Sequence, residues 1–187
     1  FFVNYSQGYK GVINSDFNYQ KLQVYLKQPI IIGPLGRTNL ILEAGKTFGT
    51  IPLGLLSVIP GNQTYFTLDN TFINVNYYEF VTDEYLMLQW NHDFNGRLFS
   101  RIPFLRKLNW REIVGVKAAY GTVSDANRAI NASGLEYVAP EDIYWEYNAG
   151  IGNIFKFFRV DFAWRGSYLN VPDTQNFSVK GSFGFYF

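Results

Sequence analysis

At 187 residues, with no cysteine and a formal net charge of +1, the chain is long enough for one domain with a substantial core. It excludes disulfide scaffolds, thiolate metal sites and cysteine nucleophiles, and it argues against bulk nucleic-acid binding. Aromatics reach 19% while charged residues stay at 17%, and no window approaches the roughly 18–20 continuous apolar residues that a membrane helix needs.

In chain order, Phe1, Val3 and Tyr5 alternate with Asn4, Ser6 and Gly8, and Leu22, Val24 and Leu26 alternate with Lys21, Gln23, Tyr25 and Lys27. A period of two predicts extended strands with one apolar side. The turn at 33–38 leads into a strand over Leu40–Phe48, where Lys46 falls on the apolar row; a bulge or an altered register is expected there. A 35-residue connection, 50–84, follows. Leu86, Leu88, Trp90 and Phe94 then alternate with Tyr85, Met87, Gln89, Asn91 and Asp93. After the segment 95–110 come Val114, Val116, Ala118 and Tyr120 against Ile113, Gly115, Lys117 and Ala119. Beyond a polar stretch, 123–141, Ile143, Trp145, Tyr147, Ala149 and Ile151 alternate with polar or small partners. So do Val160, Phe162, Trp164 and Tyr168, against Asp161, Ala163, Arg165 and Ser167. The last strand carries Phe177, Val179, Phe183, Phe185 and Phe187 on one face and Ser178, Lys180, Ser182 and Gly184 on the other.

That makes eight strands, each with an apolar row and a row bearing charges of both signs. The expected fold is all-β: a transmembrane antiparallel up-and-down β-barrel occupying 1–187 as one domain, with lipid outside and a hydrogen-bonded lumen inside. Strands that alternate this way and stop on a C-terminal phenylalanine resemble the signal recognised during insertion of Gram-negative outer-membrane barrels. Phe183, Phe185 and Phe187 are the candidate assembly signal. The implied address is the bacterial outer membrane, with a periplasmic C-terminus, and the implied insertion partner is the barrel-assembly machinery. Assigning sides backward makes 123–141 and 170–175 extracellular, and 33–38 and 152–158 short periplasmic turns. The chain starts Phe1-Phe2-Val3 without methionine, so a mature product or a fragment is expected.

The same alternation places 95–110 on the periplasmic side. Arg97, Arg101, Arg106, Lys107 and Arg111 supply five positive charges with no acid between them, which leaves the rest of the chain at −4. Interleaved apolar residues suggest contact with anionic lipid or with a periplasmic partner, and Pro103 prevents one continuous helix. A solvated helical turn is the plainer alternative.

Asn14-Ser15-Asp16-Phe17-Asn18-Tyr19, Glu43-Ala44-Gly45-Lys46, Gly61-Asn62-Gln63, Tyr77-Tyr78-Glu79-Phe80-Val81, Asn95-Gly96, Ile102-Pro103-Phe104-Leu105-Arg106-Lys107-Leu108, Arg111-Glu112 and Gly152-Asn153-Ile154-Phe155-Lys156 occur in this order. Together they resemble the C-terminal part of bacterial outer-membrane barrels that carry a carboxypeptidase-like regulatory domain. The resemblance implies a barrel of poorly defined function, of which this chain would be the C-terminal half. A weaker resemblance to BamA-type assembly insertases rests on a long loop preceding the last five strands. That family's loop carries an Arg-Gly-aromatic motif, whereas no arginine lies between Arg37 and Arg97 here. Asn62, Tyr65, Tyr77, Tyr78 and Glu79 are candidates for a lumen plug, with an extracellular cap as the alternative.

Little in the chain points to catalysis. His92 is the only histidine and sits among aromatics, where a packed or interfacial role is expected. Glu79, Asp83 and Glu84 could bind calcium but lack the dense alternation of a calcium loop. No cofactor is expected. The functional expectation is a non-enzymatic outer-membrane barrel subunit that supports envelope protein assembly or transport within a larger complex. The alternatives are a self-contained eight-stranded barrel, porin-like or adhesive, and a soluble lipocalin-like binder with apolar residues inside.

Overall fold

The structure is a computed structural model that describes residues 1–11, 16–131 and 137–184. Eight long strands form one antiparallel sheet: β1 (Phe2–Gly8), β2 (Tyr19–Ile31), β3 (Arg37–Phe48), β6 (Glu84–Asp93), β7 (Arg111–Thr122), β8 (Tyr144–Ile154), β9 (Phe158–Arg165) and β10 (Phe177–Phe183). Each pairs with its neighbour in sequence, in the order β1-β2-β3-β6-β7-β8-β9-β10. The two-residue strands β4 (Ser57–Val58) and β5 (Val81–Thr82) form a separate small ladder. Among the described residues no helix is long and apolar enough to cross a membrane.

All-β architecture and the eight-strand count therefore follow from the alternation. The sheet is open among the described residues: β1 and β10 are its two ends. Connections are uneven. At one end 32–36 and 155–157 are short, with 94–110 longer; at the other, 49–83, 123–143 and 166–176 are long. Gly36 shows how tight the short end is. At φ 104 it lies so close to β6 that a Cβ would sit 1.9 Å from the Asp93 carbonyl oxygen, so only glycine closes this turn.

Two expectations need correction. The register of β3 is unbroken against both β2 and β6, so Lys46 causes no bulge. It sits at the strand end and pairs with Glu84 across the ladder at 2.7 Å, both side chains half exposed. The irregularity lies instead between Ile151 and Ile154, where β8 turns into β9. Tyr168 also leaves the apolar row. β9 ends at Arg165, and the Tyr168 ring turns inward, edge-on to Phe80 at 5.2 Å.

The distribution of side chains inverts that of a water-soluble sheet. Leu86, Leu88, Val116, Trp145, Tyr147, Phe177 and Val179 are exposed, while Gln89, Lys117, Glu146, Asn148, Asp161, Arg165 and Lys180 are buried. Among the described residues, charged groups enter the apolar row only near strand ends: Lys46 and Glu84 at one, Glu112 at the other. The core lies between the polar face of the sheet and the connection 49–83, not between two layers of sheet or helix.

Candidate functional site: the charged face and the strap it holds

The connection 49–83 folds back as a strap. Its ends meet in the β4–β5 ladder, extended by Ile59 N donating to Phe80 O at 3.0 Å. Asn62 N to Val75 O at 2.8 Å and Phe72 N to Pro60 O at 2.8 Å cross-tie the middle. Gly61 is where the two limbs touch, since a Cβ there would lie 2.4 Å from Val75 O. Ile59, Phe72, Val75 and Phe80 are buried against Tyr85, Met87, Ala119 and Tyr144 of the sheet. Phe72 and Phe80 both contact the Tyr144 ring, at 5.6 and 5.2 Å. Each fully buried phenylalanine contributes about 1.5–3 kcal/mol toward holding the strap.

Charged side chains of the sheet grip the strap largely through its backbone. Glu146 accepts Ile73 N at 2.6 Å, Asn74 N at 2.9 Å and the Tyr144 hydroxyl at 2.9 Å. Lys117 Nζ donates to Thr71 O and lies 3.9 Å from Glu146 Oε1. Arg165 donates to Asn74 O at 3.1 Å and to the Glu79 carboxylate, and its guanidinium lies 4.9 Å from the Tyr144 ring centroid. Lys180 Nζ donates to Asn62 O, and Ser178 Oγ donates to Asn74 Oδ1 at 2.6 Å. Buried charges persist when paired and hydrogen-bonded; Glu146, Lys117 and Arg165 each have a charged partner as well as hydrogen bonds, and Lys180 has the Asn62 carbonyl.

The strap also reaches the end of the sheet. Gly181 N donates to Tyr65 O at 3.0 Å and Thr67 N to Gly181 O at 2.7 Å, a parallel bridge on the edge of β10 that faces away from β9. Phe66 and Phe183 rings meet at 5.7 Å.

Of the residues expected in a plug, Asn62 is buried and Glu79 joins Arg165, but Tyr65, Tyr77 and Tyr78 are exposed, Tyr65 at 88%. The anchoring aromatics are Phe72 and Phe80. Missing from the sequence-based candidates are the gripping groups Lys117, Glu146, Arg165 and Lys180. Their signal was the row of charges opposite the apolar residues.

The three carboxylates considered for calcium go to separate partners: Glu79 to Arg165, Glu84 to Lys46, and Asp83 to Ser124 N and Asn127 Nδ2, both at 2.8 Å. Asn127 and Asn131, in and just after α2 (Asp125–Ile130), in turn accept Ile51 N at 2.8 Å and Leu53 N at 2.6 Å. Asp83 thus links the strap's end to the 123–131 segment. Burial pushes its carboxyl up, but hydrogen bonds from Ser124 and Asn127 outweigh this and hold it below the ordinary value. A depressed carboxyl stabilises above its unfolded value of about 3.9 and stops doing so as pH falls through the folded one. The protection of the Ile51 and Leu53 amides, relative to intrinsic exchange at the same pH, should therefore hold near neutrality and fall below about pH 4. D83N should remove that step, and a step of equal size in D83N would count against the assignment.

His92 has both ring nitrogens engaged, Nε2 2.9 Å from Leu35 O and Nδ1 2.6 Å from Thr38 Oγ1. A carbonyl can only accept, so Nε2 donates to Leu35 O. Phe94 stands edge-on at 4.4 Å. The basic segment forms a 3₁₀ turn, Phe99–Arg101, and then α1 (Pro103–Leu108), with Pro103 in the first turn. Leu98, Ile102 and Phe104 project outward, Phe104 at 73% exposure, and Arg97 donates to Pro34 O at 3.1 Å. Of the terminal aromatics, Phe183 is exposed and stacks on Phe157 at 6.2 Å; Phe185 and Phe187 lie outside the described residues.

A family described as "Family of unknown function (DUF5686) C-terminal domain" matches residues 1–126. The chain belongs to that family. The matched region runs from β1 through β7 into the start of α2, so it takes in the whole strap, Lys117 and the basic segment. Glu146, Arg165 and Lys180 lie beyond it. No curated protein matches the chain.

Proposed function

We propose that the sheet is part of the wall of a bacterial outer-membrane β-barrel, and that the protein is a non-enzymatic subunit supporting envelope protein assembly or transport within a larger complex. The observation that carries this reading is the inverted sheet, with its apolar row exposed and its charged row buried. A lipocalin-like binder requires the opposite. In this reading the apolar row faces lipid, the charged face lines the lumen, and the strap is the lumen plug. The short-turn end is periplasmic, with Arg97, Arg101, Arg106 and Lys107 at the lipid interface and Arg111, in the charged row beside Asp93, at the mouth of the lumen. The ordered motifs that resemble those of barrels carrying a carboxypeptidase-like regulatory domain accord with this setting.

The outer edge of β1, and that of β10 away from Gly181, where the strap is bridged to it, fit a wall that continues in further strands. Eight strands also fit a self-contained barrel in which β1 pairs with β10. Cysteines at Val3 and Val179 separate the two: rapid disulfide formation would favour the self-contained barrel, and its absence the longer wall. The membrane reading itself is tested by flotation of the refolded chain with neutral phospholipid vesicles, together with a band whose gel mobility changes on boiling. A chain that stays in the aqueous fraction, monomeric without detergent, would overturn it.

A further inference from the structure

The short-turn end holds a cavity of about 890 Å³ between α1 and the β8–β9 turn, within the size range of small-molecule sites. Arg106, Lys107, Arg111 and Lys156 line it, and no carboxylate does. Arg111 is shared with Asp93 at 3.8 Å, while Arg106, Lys107 and Lys156 have no ion-pair partner among the described residues. The cavity is framed by structure: Asn153 Nδ2 donates to Asn109 O at 2.7 Å, tying its two walls together. Asn109, Asn153 and Lys156 all hold positive φ, which turns the chain sharply around it. Trp110 and Phe155 supply aromatic lining, and Phe155 is 81% exposed. The apolar row of β8, with Ala149 exposed and Ile151 half-buried, leads down to the β8–β9 turn that lines it.

We propose that this cavity binds the phosphate headgroup of an anionic phospholipid, with the acyl chains lying along the apolar row of β7–β9. Two features select a lipid over a free anion. The cations sit beside exposed apolar side chains, and the site lies where the apolar row ends. Cations clustered at that level attract anionic headgroups, while an aromatic belt suits the boundary between acyl chain and water. The inference rests on the membrane reading and narrows its basic segment to a defined site that adds Lys156, Trp110 and Phe155.

The test uses the full chain reconstituted in neutral phosphatidylcholine, transferred to detergent micelles and examined by native mass spectrometry with added phosphatidylglycerol, glycerophosphoglycerol or inorganic phosphate. The expected result is retained phosphatidylglycerol, with the two chainless probes retained at least about tenfold less. R106Q/K107Q/K156Q should lower lipid retention about tenfold or more, while K10Q/K27Q, remote from the cavity, should leave it unchanged. Equal retention of inorganic phosphate, or equal loss in both variants, overturns the lipid site. Because flotation with neutral vesicles is scored first, failure to enter a bilayer overturns the membrane reading. A chain that floats but retains no phosphatidylglycerol overturns this site alone.

Discussion

If the apolar row faces lipid, L88K should destabilise the folded sheet by about 2–4 kcal/mol while leaving its own hydrogen bonds untouched. Leu88 lies mid-strand in β6, opposite Leu42 and Ala118, and is 39% exposed. On a water-facing sheet, replacing so open a leucine with lysine changes stability by about 0.5 kcal/mol or less. At a bilayer midplane the same charge costs about 2–4 kcal/mol, enough to shift the folded-to-unfolded ratio by one to three orders of magnitude. The chain already obeys the corresponding depth rule, since the charges in its apolar row lie near strand ends. K46Q, at such an end and in an exposed pair, should change stability by less than about 1 kcal/mol. The measurement is urea unfolding in vesicles, read by the mobility difference between folded and unfolded bands. Equal, small effects of L88K and K46Q would mean that the apolar row faces water.

The strands were legible because their information is local. Two-residue alternation survives from Phe1 to Phe183 with few exceptions, and the one that looked like a bulge, Lys46, was a strand end whose partner, Glu84, lies 38 residues away. The strap was legible only as an aromatic-rich connection. Its anchors are the Ile73 and Asn74 amides and the Thr71 and Asn62 carbonyls, which have no side-chain signature. Nor does aromatic content say which rings are buried: Tyr65, Tyr77 and Tyr78 stay outside, whereas Phe72 and Phe80, with nothing to offer water, fill the core. The gripping residues were visible as polar members of the alternation, but the alternation gives a face and not a partner. Tyr168 shows the same limit, because its place in the pattern suited the apolar row until the chain turned after Arg165.

The strap should come loose in E146A. Glu146 is 1% exposed and accepts three hydrogen bonds while facing the buried Lys117. Truncation orphans two backbone amides and leaves a buried cation with one carbonyl partner; breaking a buried pair in this way costs about 3–5 kcal/mol. That exceeds what either phenylalanine anchor contributes alone, at about 1.5–3 kcal/mol. Release of 62–80 should therefore precede unfolding of the sheet, whose ladders remain intact. Chymotrypsin cleavage within the strap should appear in E146A under conditions where the wild-type chain resists, with the boiling-dependent mobility shift preserved. In a planar bilayer the same variant should pass small ions more readily, because the strap occupies the charged face. E79A/R165A removes a second buried pair together and avoids leaving a lone charge, so it should loosen the strap less than R165A, which leaves Glu79 with the Asn76 N–H and no cation. If E146A resists chymotrypsin as the wild type does, the apolar anchors alone hold the strap, and the charged row serves the lumen rather than the plug.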